Sequence, residues 1–218
     1  MRLLSLAFAL TVALNFTATT ALAGPVNFSD WRTHWFAIFS KVSFTPKGGA
    51  MGVDADGAVS IIYDRLGPQD WSARKASWRW GVTQSVPATD LTRKGGDDRN
   101  LALYFAFLPK PEAERLKGSR SLRKLLNHPE GRVLVYVRGG KHARGSVLGS
   151  PYLGARGKTI VLRPSGTGSH TEKVDLARDY RRAFGAEPTA LVALALSADS
   201  DDTDSQISAE VSSLTLSD

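Results

Sequence analysis

Four aspartates lie close together in one short segment near the end of the chain: Asp199, Asp201, Asp202 and Asp204. Hard cations such as calcium take about six to eight oxygen ligands, and clustered aspartates in a loop supply such oxygens. An EF-hand needs Gly where Asp204 stands, so that type of site is excluded. We predict a structural calcium site of the β-sandwich type at Asp199, Asp201 and Asp202. The alternative is a solvated turn whose side chains cap their own backbone.

A second acidic pair, Asp97 and Asp98, ends the loop before the clearest strand pattern of the chain. Two carboxylates can act as acid and nucleophile, or as acid and base, in glycoside hydrolysis. Adjacent side chains usually point apart, however, and the separation that catalysis needs is set by the fold. We therefore expect this pair to bind sugar hydroxyls or to order the loop, and we assign no catalytic residue.

Two tryptophans flank an arginine in the string Trp78-Arg79-Trp80. A sugar ring stacks on an aromatic face and buries its apolar C–H surface there. In a strand the two indoles share one face and Arg79 takes the other, so the indoles are buried or displayed together. Core packing accounts for Trp78. We assign Trp80 and Arg79, together with Asp97 and Asp98, as candidate ligand contacts.

Several segments that must position these residues alternate apolar and polar side chains with period two, which predicts half-buried strands. Residues 101–107 show it best, with Leu101, Leu103 and Phe105 on one face and Ala102 and Tyr104 on the other. Residues 191–196 are apolar throughout, which predicts a central strand covered on both sides. The further predicted strands are 58–63, 77–82, 133–137, 159–163, 172–175 and 207–216.

Two segments have helical patterns. Residues 112–126 follow Pro111 and carry leucines on one side. Residues 176–184 have an apolar stripe, with Asp175 as N-cap and Gly185 at the left-handed C-terminal position. Many short strands with one or two short helices predict a mainly β fold, an antiparallel β-sandwich or jelly roll.

The first 23 residues predict a cleavable signal peptide. Arg2 is followed by an apolar run, and Ala21-Leu22-Ala23 is a small-x-small cleavage site. The apolar run is too short for a membrane-spanning helix. We therefore expect a periplasmic protein, cleaved after Ala23, with a single β-sandwich domain over 24–218 and no transmembrane segment after cleavage.

Composition excludes several classes of function. The chain has no cysteine, which rules out cysteine catalysis, thiol redox chemistry and Cys-ligated zinc. Its four histidines are scattered, and no H-E-x-x-H or G-x-S-x-G motif occurs. The formal net charge is +7. Export argues against a nucleic-acid partner, so we expect the positive charge to keep the protein soluble or to attract an anionic envelope component.

A set of strings in this order resembles a bacterial exported family known as domain of unknown function 3047. The set comprises Trp78-Arg79-Trp80, the acidic pair after Gly96, the strand over 101–107, the string Asp179-Tyr180-Arg181-Arg182-Ala183-Phe184-Gly185, and the acidic turn that begins at Asp199. The resemblance covers residues 50–218. It implies a periplasmic β-sandwich of the jelly-roll or galactose-binding type, and it implies no activity.

Three hypotheses for function follow. The first is a non-catalytic module that binds a carbohydrate or another envelope ligand, with the structural calcium beside it. The second is a periplasmic hydrolase that pairs Asp97 or Asp98 with a carboxylate of the acidic turn, which requires both groups in one cleft. The third is an envelope interaction or scaffold protein that uses the basic segment 112–126 against anionic surfaces. The sequence does not settle the oligomeric state.

Overall fold

The computed structural model describes residues 24–34, 42–119, 121, 124–125 and 127–218. The predicted signal peptide, residues 1–23, lies outside the described residues. Within those ranges, no helix is long and apolar enough to cross a membrane. The described residues form two packed sheets, so the predicted β-sandwich is confirmed.

The described strands are short and joined by turns that contain Gly, Asp and Pro, as the sequence pattern predicts. In chain order they are β1 (Arg32–His34), β2 (Val42–Lys47), β3 (Ala50–Asp56), β4 (Val59–Arg65), β5 (Lys75–Gln84), β6 (Arg99–Leu108), β7 (Arg132–Arg138), β8 (Val147–Ser150), β9 (Gly154–Arg163), β10 (Gly168–Asp175), β11 (Ala190–Asp199) and β12 (Gln206–Ser217). All eight predicted strands are present, whereas β1, β2, β3 and β8 were not predicted.

One sheet has seven strands in the order β1-β4-β11-β6-β7-β9-β8, and the other has five in the order β10-β5-β12-β3-β2. Every pairing is antiparallel except β7 with β9, which are parallel. The chain leaves β7, forms β8 at the sheet edge and returns as β9 between them. This crossover is the one departure from the predicted all-antiparallel arrangement.

The main core lies between the two sheets, and its centre is aromatic. Trp78 of β5 packs against Phe105 of β6 at 6.0 Å and against Tyr136 of β7 at 5.8 Å between ring centroids. Leu101, Leu103 and Phe105 point into this core as the alternation predicts. Burial of these large rings is the main stabilising contribution of the sandwich.

Strand β11 is buried along its whole length and lies third in the seven-stranded sheet, which confirms the predicted central strand. Leu194 and Leu196 face the main core. Val192 and Ala193 face the outer side, where Leu116 and Leu125 cover them in a second apolar cluster. Among the described residues, this second apolar cluster covers one end of the outer face of the sheet.

The two predicted helices differ in outcome. Helix α2, Leu176–Phe184, has the predicted bounds: Asp175 accepts a hydrogen bond from the Arg178 N–H at 2.8 Å, and Gly185 has φ +68°. The predicted helix over 112–126 is wrong in length, because helix α1 spans Lys110–Arg115 and a turn follows through Gly118. Gly and Ser at 118–119 are poor helix formers. Residues 120, 122–123 and 126 lie outside the described residues.

Candidate binding cleft on the seven-stranded sheet

A cleft of about 360 Å³ opens on the outer face of the seven-stranded sheet, where the second apolar cluster ends. Its floor is made of small aliphatic side chains from β6, β7 and β11, and its far end is polar. Small residues leave room above the sheet that larger side chains would fill. The floor residues include Ala106, Val133, Val135, Ala193 and Ala195.

Arg99, the first residue of β6, organises the polar end of the cleft. Its Nη1 donates to Asp97 Oδ2 and to Asp199 Oδ2, each at 2.9 Å, and its Nη2 donates to the Tyr104 hydroxyl at 3.2 Å. The Arg99 side chain is 11% exposed. Burial opposes its charge, but Tyr104 and the two carboxylates outweigh burial and raise its pKa above the usual value.

A β-bulge turns Arg99 toward the cleft. Ser197 of β11 pairs with Ala102, whereas Asp199 pairs with Arg99, so two steps along β11 oppose three along β6. The extra residue reverses the alternation, and Arg99 therefore lies on the face of Ala102 and Tyr104 instead of the core face. Bulges of this kind are common beside functional sites because they re-aim a side chain.

Asp97 holds an aromatic side chain at the mouth of the cleft. The Tyr152 hydroxyl donates to Asp97 Oδ1 at 2.9 Å. Tyr152 lies in the turn between β8 and β9 and is 54% exposed. Among the described residues, it is the one large hydrophobic side chain that is exposed. Burial of its hydroxyl, together with Asp97, raises the pKa of Tyr152. The Lys94 amino group lies over the ring at 5.6 Å from its centroid. The ring is thus anchored at its hydroxyl and contacted by Lys94, while about half of the side chain remains exposed.

Asp199 has one carboxylate oxygen in use and one free. Its Oδ2 accepts from Arg99, whereas its Oδ1 is buried and has no hydrogen-bond partner. Burial raises the pKa of Asp199 to about 8, and the neighbouring Asp201 and Asp98 add to this shift while Arg99 opposes it. A buried carboxylate oxygen without a partner is costly and marks a place for a proton, a cation or a ligand hydroxyl.

Asp98 has a different role from Asp97 although it is the next residue. Its Oδ2 accepts from the Thr203 N–H at 2.8 Å and also from the Thr203 hydroxyl, and its Oδ1 accepts from the Asp202 N–H at 3.3 Å. Asp98 is fully buried. It caps the acidic turn, so the pair points apart as expected, and the two aspartate loops of the sequence are neighbours in space.

The predicted ligand contacts Trp80 and Arg79 do not join this cleft. Trp80 is fully buried between the sheets, and its Nε1 donates to Glu172 Oε1 at 3.2 Å. It has no surface to offer a ligand, so that assignment is corrected to a core role. Arg79 is exposed on the outer face of the five-stranded sheet, across the sandwich from Asp97.

The aspartates of the cleft were predicted from the sequence, whereas the residues that contact them were not. Arg99, Tyr104, Ser197 and Tyr152 were not singled out. The Tyr104 and Ser197 hydroxyls are 3.1 Å apart, and both residues lie on the outer face. A usable signal for Arg99 was its place directly after the acidic pair, but the bulge that turns it to the cleft leaves no mark in the sequence.

The fold and site define a two-sheet β-sandwich whose larger sheet carries an acidic cleft on its outer face. The chain belongs to the family described as protein of unknown function (DUF3047), whose model matches residues 29–215. The predicted family is therefore confirmed.

No curated protein matches the chain. Among solved structures it is similar to the xyloglucanase domain of NopAA, a type three effector from Sinorhizobium fredii in complex with cellobiose. The TM-score is 0.44 and the identity 10%, over 86% of this chain and 92% of that chain. A likeness at this level says nothing about ligand or activity.

Proposed function

We propose that this chain is an exported protein that binds a neutral carbohydrate, without cleaving it, in the cleft of the seven-stranded sheet. The observation that carries the proposal is the unpartnered Oδ1 of Asp199 in the same cleft as the exposed ring of Tyr152. A sugar needs oxygen acceptors for its hydroxyls and an apolar or aromatic surface for its C–H face. The polar end of the cleft offers the first, and Tyr152 with the aliphatic floor offers the second.

The charge of the cleft favours a neutral ligand. Four aspartates (Asp97, Asp199, Asp201 and Asp202) line its polar end, Asp98 is buried beside Asp201 and Asp202, and Arg99 forms ion pairs with Asp97 and Asp199. An anion entering this end is repelled at short range, even though the whole chain is positively charged. The cleft thus disfavours an anionic envelope component, which was the other envelope ligand that the sequence admitted.

The contacts of the two carboxylates favour binding over hydrolysis. Asp97 and Asp199 do share one cleft, as a hydrolase requires, and each lies 2.9 Å from the same nitrogen of Arg99. In a glycosidase the acid and the nucleophile must both face the scissile bond. Here Arg99 lies between the two groups, and both oxygens of Asp97 already accept hydrogen bonds.

The test is a thermal melt of the purified protein against neutral and acidic envelope saccharides. A ligand at about 100 times its Kd stabilises by roughly 2.7 kcal/mol. For a chain of this size the midpoint then rises by about 5–10 °C. Tyr152→Ala should lose the shift, and Arg79→Met, on the opposite face, should keep it.

Three results would count against the proposal. If no neutral saccharide raises the midpoint, the chain is not a binder of this kind. If Arg79→Met loses the shift and Tyr152→Ala keeps it, the ligand lies on the other sheet. If incubation with a bound oligosaccharide releases new reducing ends, the site is catalytic, and the hydrolase hypothesis replaces the binding one.

A further inference from the structure

Three carboxylates of the polar end form a compact cluster. Oxygens of Asp98, Asp201 and Asp202 all lie within 4.8 Å of one another. Asp98 is fully buried, whereas Asp201 and Asp202 are exposed. Acidic clusters are common on protein surfaces, so this grouping alone does not define a site.

Asp199 supplies the second observation. The residue is 5% exposed, and its Oδ1 has no hydrogen-bond partner. The carboxylates of Asp199 and Asp201 line the same cleft. Two facing carboxylates repel each other unless a proton or a cation lies between them. The Oδ1 of Asp199 is thus a buried acceptor without a hydrogen-bond partner, in the same cleft as Asp201 and Asp202 of the acidic cluster.

The backbone holds these carboxylates in place before any ion binds. Asp98 anchors the acidic turn through the Thr203 and Asp202 N–H groups. Ser200 is fully buried, and its N–H donates to the Ala58 carbonyl at 3.1 Å. The turn between β11 and β12 is thereby tied to two other loops. A preorganised ligand set binds an ion with a smaller ordering cost than a mobile one.

The charge balance also calls for a cation. Arg99 pairs with Asp97 and Asp199. Within the described part of the chain, no basic side chain forms an ion pair with Asp98, Asp201 or Asp202. Asp98 and Asp199 are buried, and charges interact more strongly in a buried site than in water.

We propose that the acidic turn binds one Ca²⁺ ion between the carboxylates of Asp98, Asp199, Asp201 and Asp202. The ligands are all hard oxygens, and no His or Cys is among them, which disfavours zinc. Calcium accepts irregular sets of about six to eight oxygens, whereas magnesium demands a near-ideal octahedron. The exposed side of Asp201 and Asp202 leaves room for water ligands. The Oδ1 of Asp199 is also an acceptor of the proposed carbohydrate site, so calcium is tested without any saccharide to keep the two proposals distinguishable.

The experiment measures calcium binding to the purified protein after a chelator has removed any bound metal. Titration calorimetry gives the stoichiometry, and thermal melts give the stabilisation; no saccharide is present in either. We expect one Ca²⁺ per chain and a midpoint that is higher in CaCl₂ than in chelator, with a smaller rise in MgCl₂ at the same concentration. The shift at about 100 times Kd should again be roughly 5–10 °C.

The test variant is Asp201→Asn with Asp202→Asn, which removes two exposed ligands and leaves the buried cap at Asp98. It should lose the calcium shift. It should also melt higher than wild type in chelator, because repulsion in the empty cluster is relieved. The matched control is Asp204→Asn, which removes one charge from the same turn but at a side chain that faces Gly57. It should keep the calcium shift.

Either of two results would overturn the proposal. The first is a wild-type melt that is identical in calcium and in chelator, together with a calorimetric trace that shows no binding. The second is a double variant that binds calcium as tightly as wild type. In the first case no ion occupies the acidic turn, and in the second case the calcium lies elsewhere on the protein.

Discussion

The carboxylate of Asp98 accepts a hydrogen bond from the Thr203 N–H at 2.8 Å, across 105 residues of the chain. This contact joins the loop before β6 to the turn between β11 and β12. The two acidic segments that look separate in the sequence are therefore one structure. Asp98 holds that structure together, while its neighbour Asp97 faces the cleft. The contact thus explains why adjacent aspartates have different roles.

Replacing Arg99 should destabilise the fold strongly. Arg99→Met removes the cation between two buried carboxylates and leaves Asp97 and Asp199 without their partner. Breaking a buried ion pair from one side costs about 3–5 kcal/mol. Urea unfolding at pH 7 measures this loss. In an Asp199→Asn background the same substitution should cost less, because Arg99 there has one carboxylate partner instead of two.

The control is Arg79→Met, which removes an arginine from an exposed position on β5. Exposed substitutions of this kind change stability by about 0.5 kcal/mol or less. Equal losses for Arg99→Met and Arg79→Met would show that the ion pairs around Arg99 contribute nothing to the fold.

Gly139→Ala should displace Arg99 and thereby distort the polar end of the cleft. A Cβ at Gly139 would lie 2.6 Å from Arg99 Cβ and 2.8 Å from Arg99 Cα, so the backbone of β6 must move. Forcing atoms into a packed site costs about 1–3 kcal/mol and here displaces Arg99 as well. We expect a lower urea midpoint and weaker saccharide binding. Gly149→Ala is the control, because nothing lies within 4 Å of its Cβ position, and it should change neither quantity.

Much of the fold could be predicted because burial in a sandwich follows the period of the strand. The alternation over 101–107 and the apolar run over 191–196 both correspond to strands with the expected faces. Strand β3 was missed because glycine and aspartates interrupt its pattern, although Met51, Val53 and Ala55 alternate into the core. The helix over 112–126 was overestimated because leucine spacing alone does not reveal the turn at Gly118.

The site was less predictable, because its geometry is tertiary. The aspartates could be proposed from residue type, but their meeting depends on Asp98 reaching Thr203. The sequence could not show whether the indole of Trp80 is buried or exposed. Strand alternation determines which residues share a face, but it does not determine which face is the core. Arg99 depends on a bulge, which is a property of two paired strands and not of one segment.

Tyr136→Phe should destabilise the junction of β7 and α2. The Tyr136 hydroxyl donates to Asp179 Oδ2 at 2.9 Å, and both side chains are buried. Loss of a hydrogen bond to a charged group costs about 1.5–3 kcal/mol. For a chain of this size that lowers the melting midpoint by about 3–12 °C. In an Asp179→Asn background the loss should shrink. An unchanged loss in that background would show that the Asp179 charge plays no part.

His170 should make stability depend on pH between about 5 and 7.5. Burial first, and then the nearby charges of Arg163 and Arg138, lower the pKa of His170 in the folded state. Arg144 acts in the same sense and Glu172 opposes it. In the unfolded chain the histidine pKa is about 6.5. The unfolded state therefore takes up this proton at a higher pH than the folded state does.

Stability rises with pH wherever the unfolded state binds more protons. The contribution of neutral His170 to the free energy of unfolding is thus fully present at pH 8. It is lost as the pH falls through about 6.5 toward the lowered pKa of His170 in the folded state. His170→Gln removes this contribution and keeps a polar side chain. Urea unfolding of both proteins at pH 8, 7, 6 and 5 gives the difference in unfolding free energy, from which titrations common to both proteins cancel. We expect the variant to become more stable relative to wild type as the pH falls. A difference that stays constant from pH 8 to 5 would show that folding does not lower the pKa of His170.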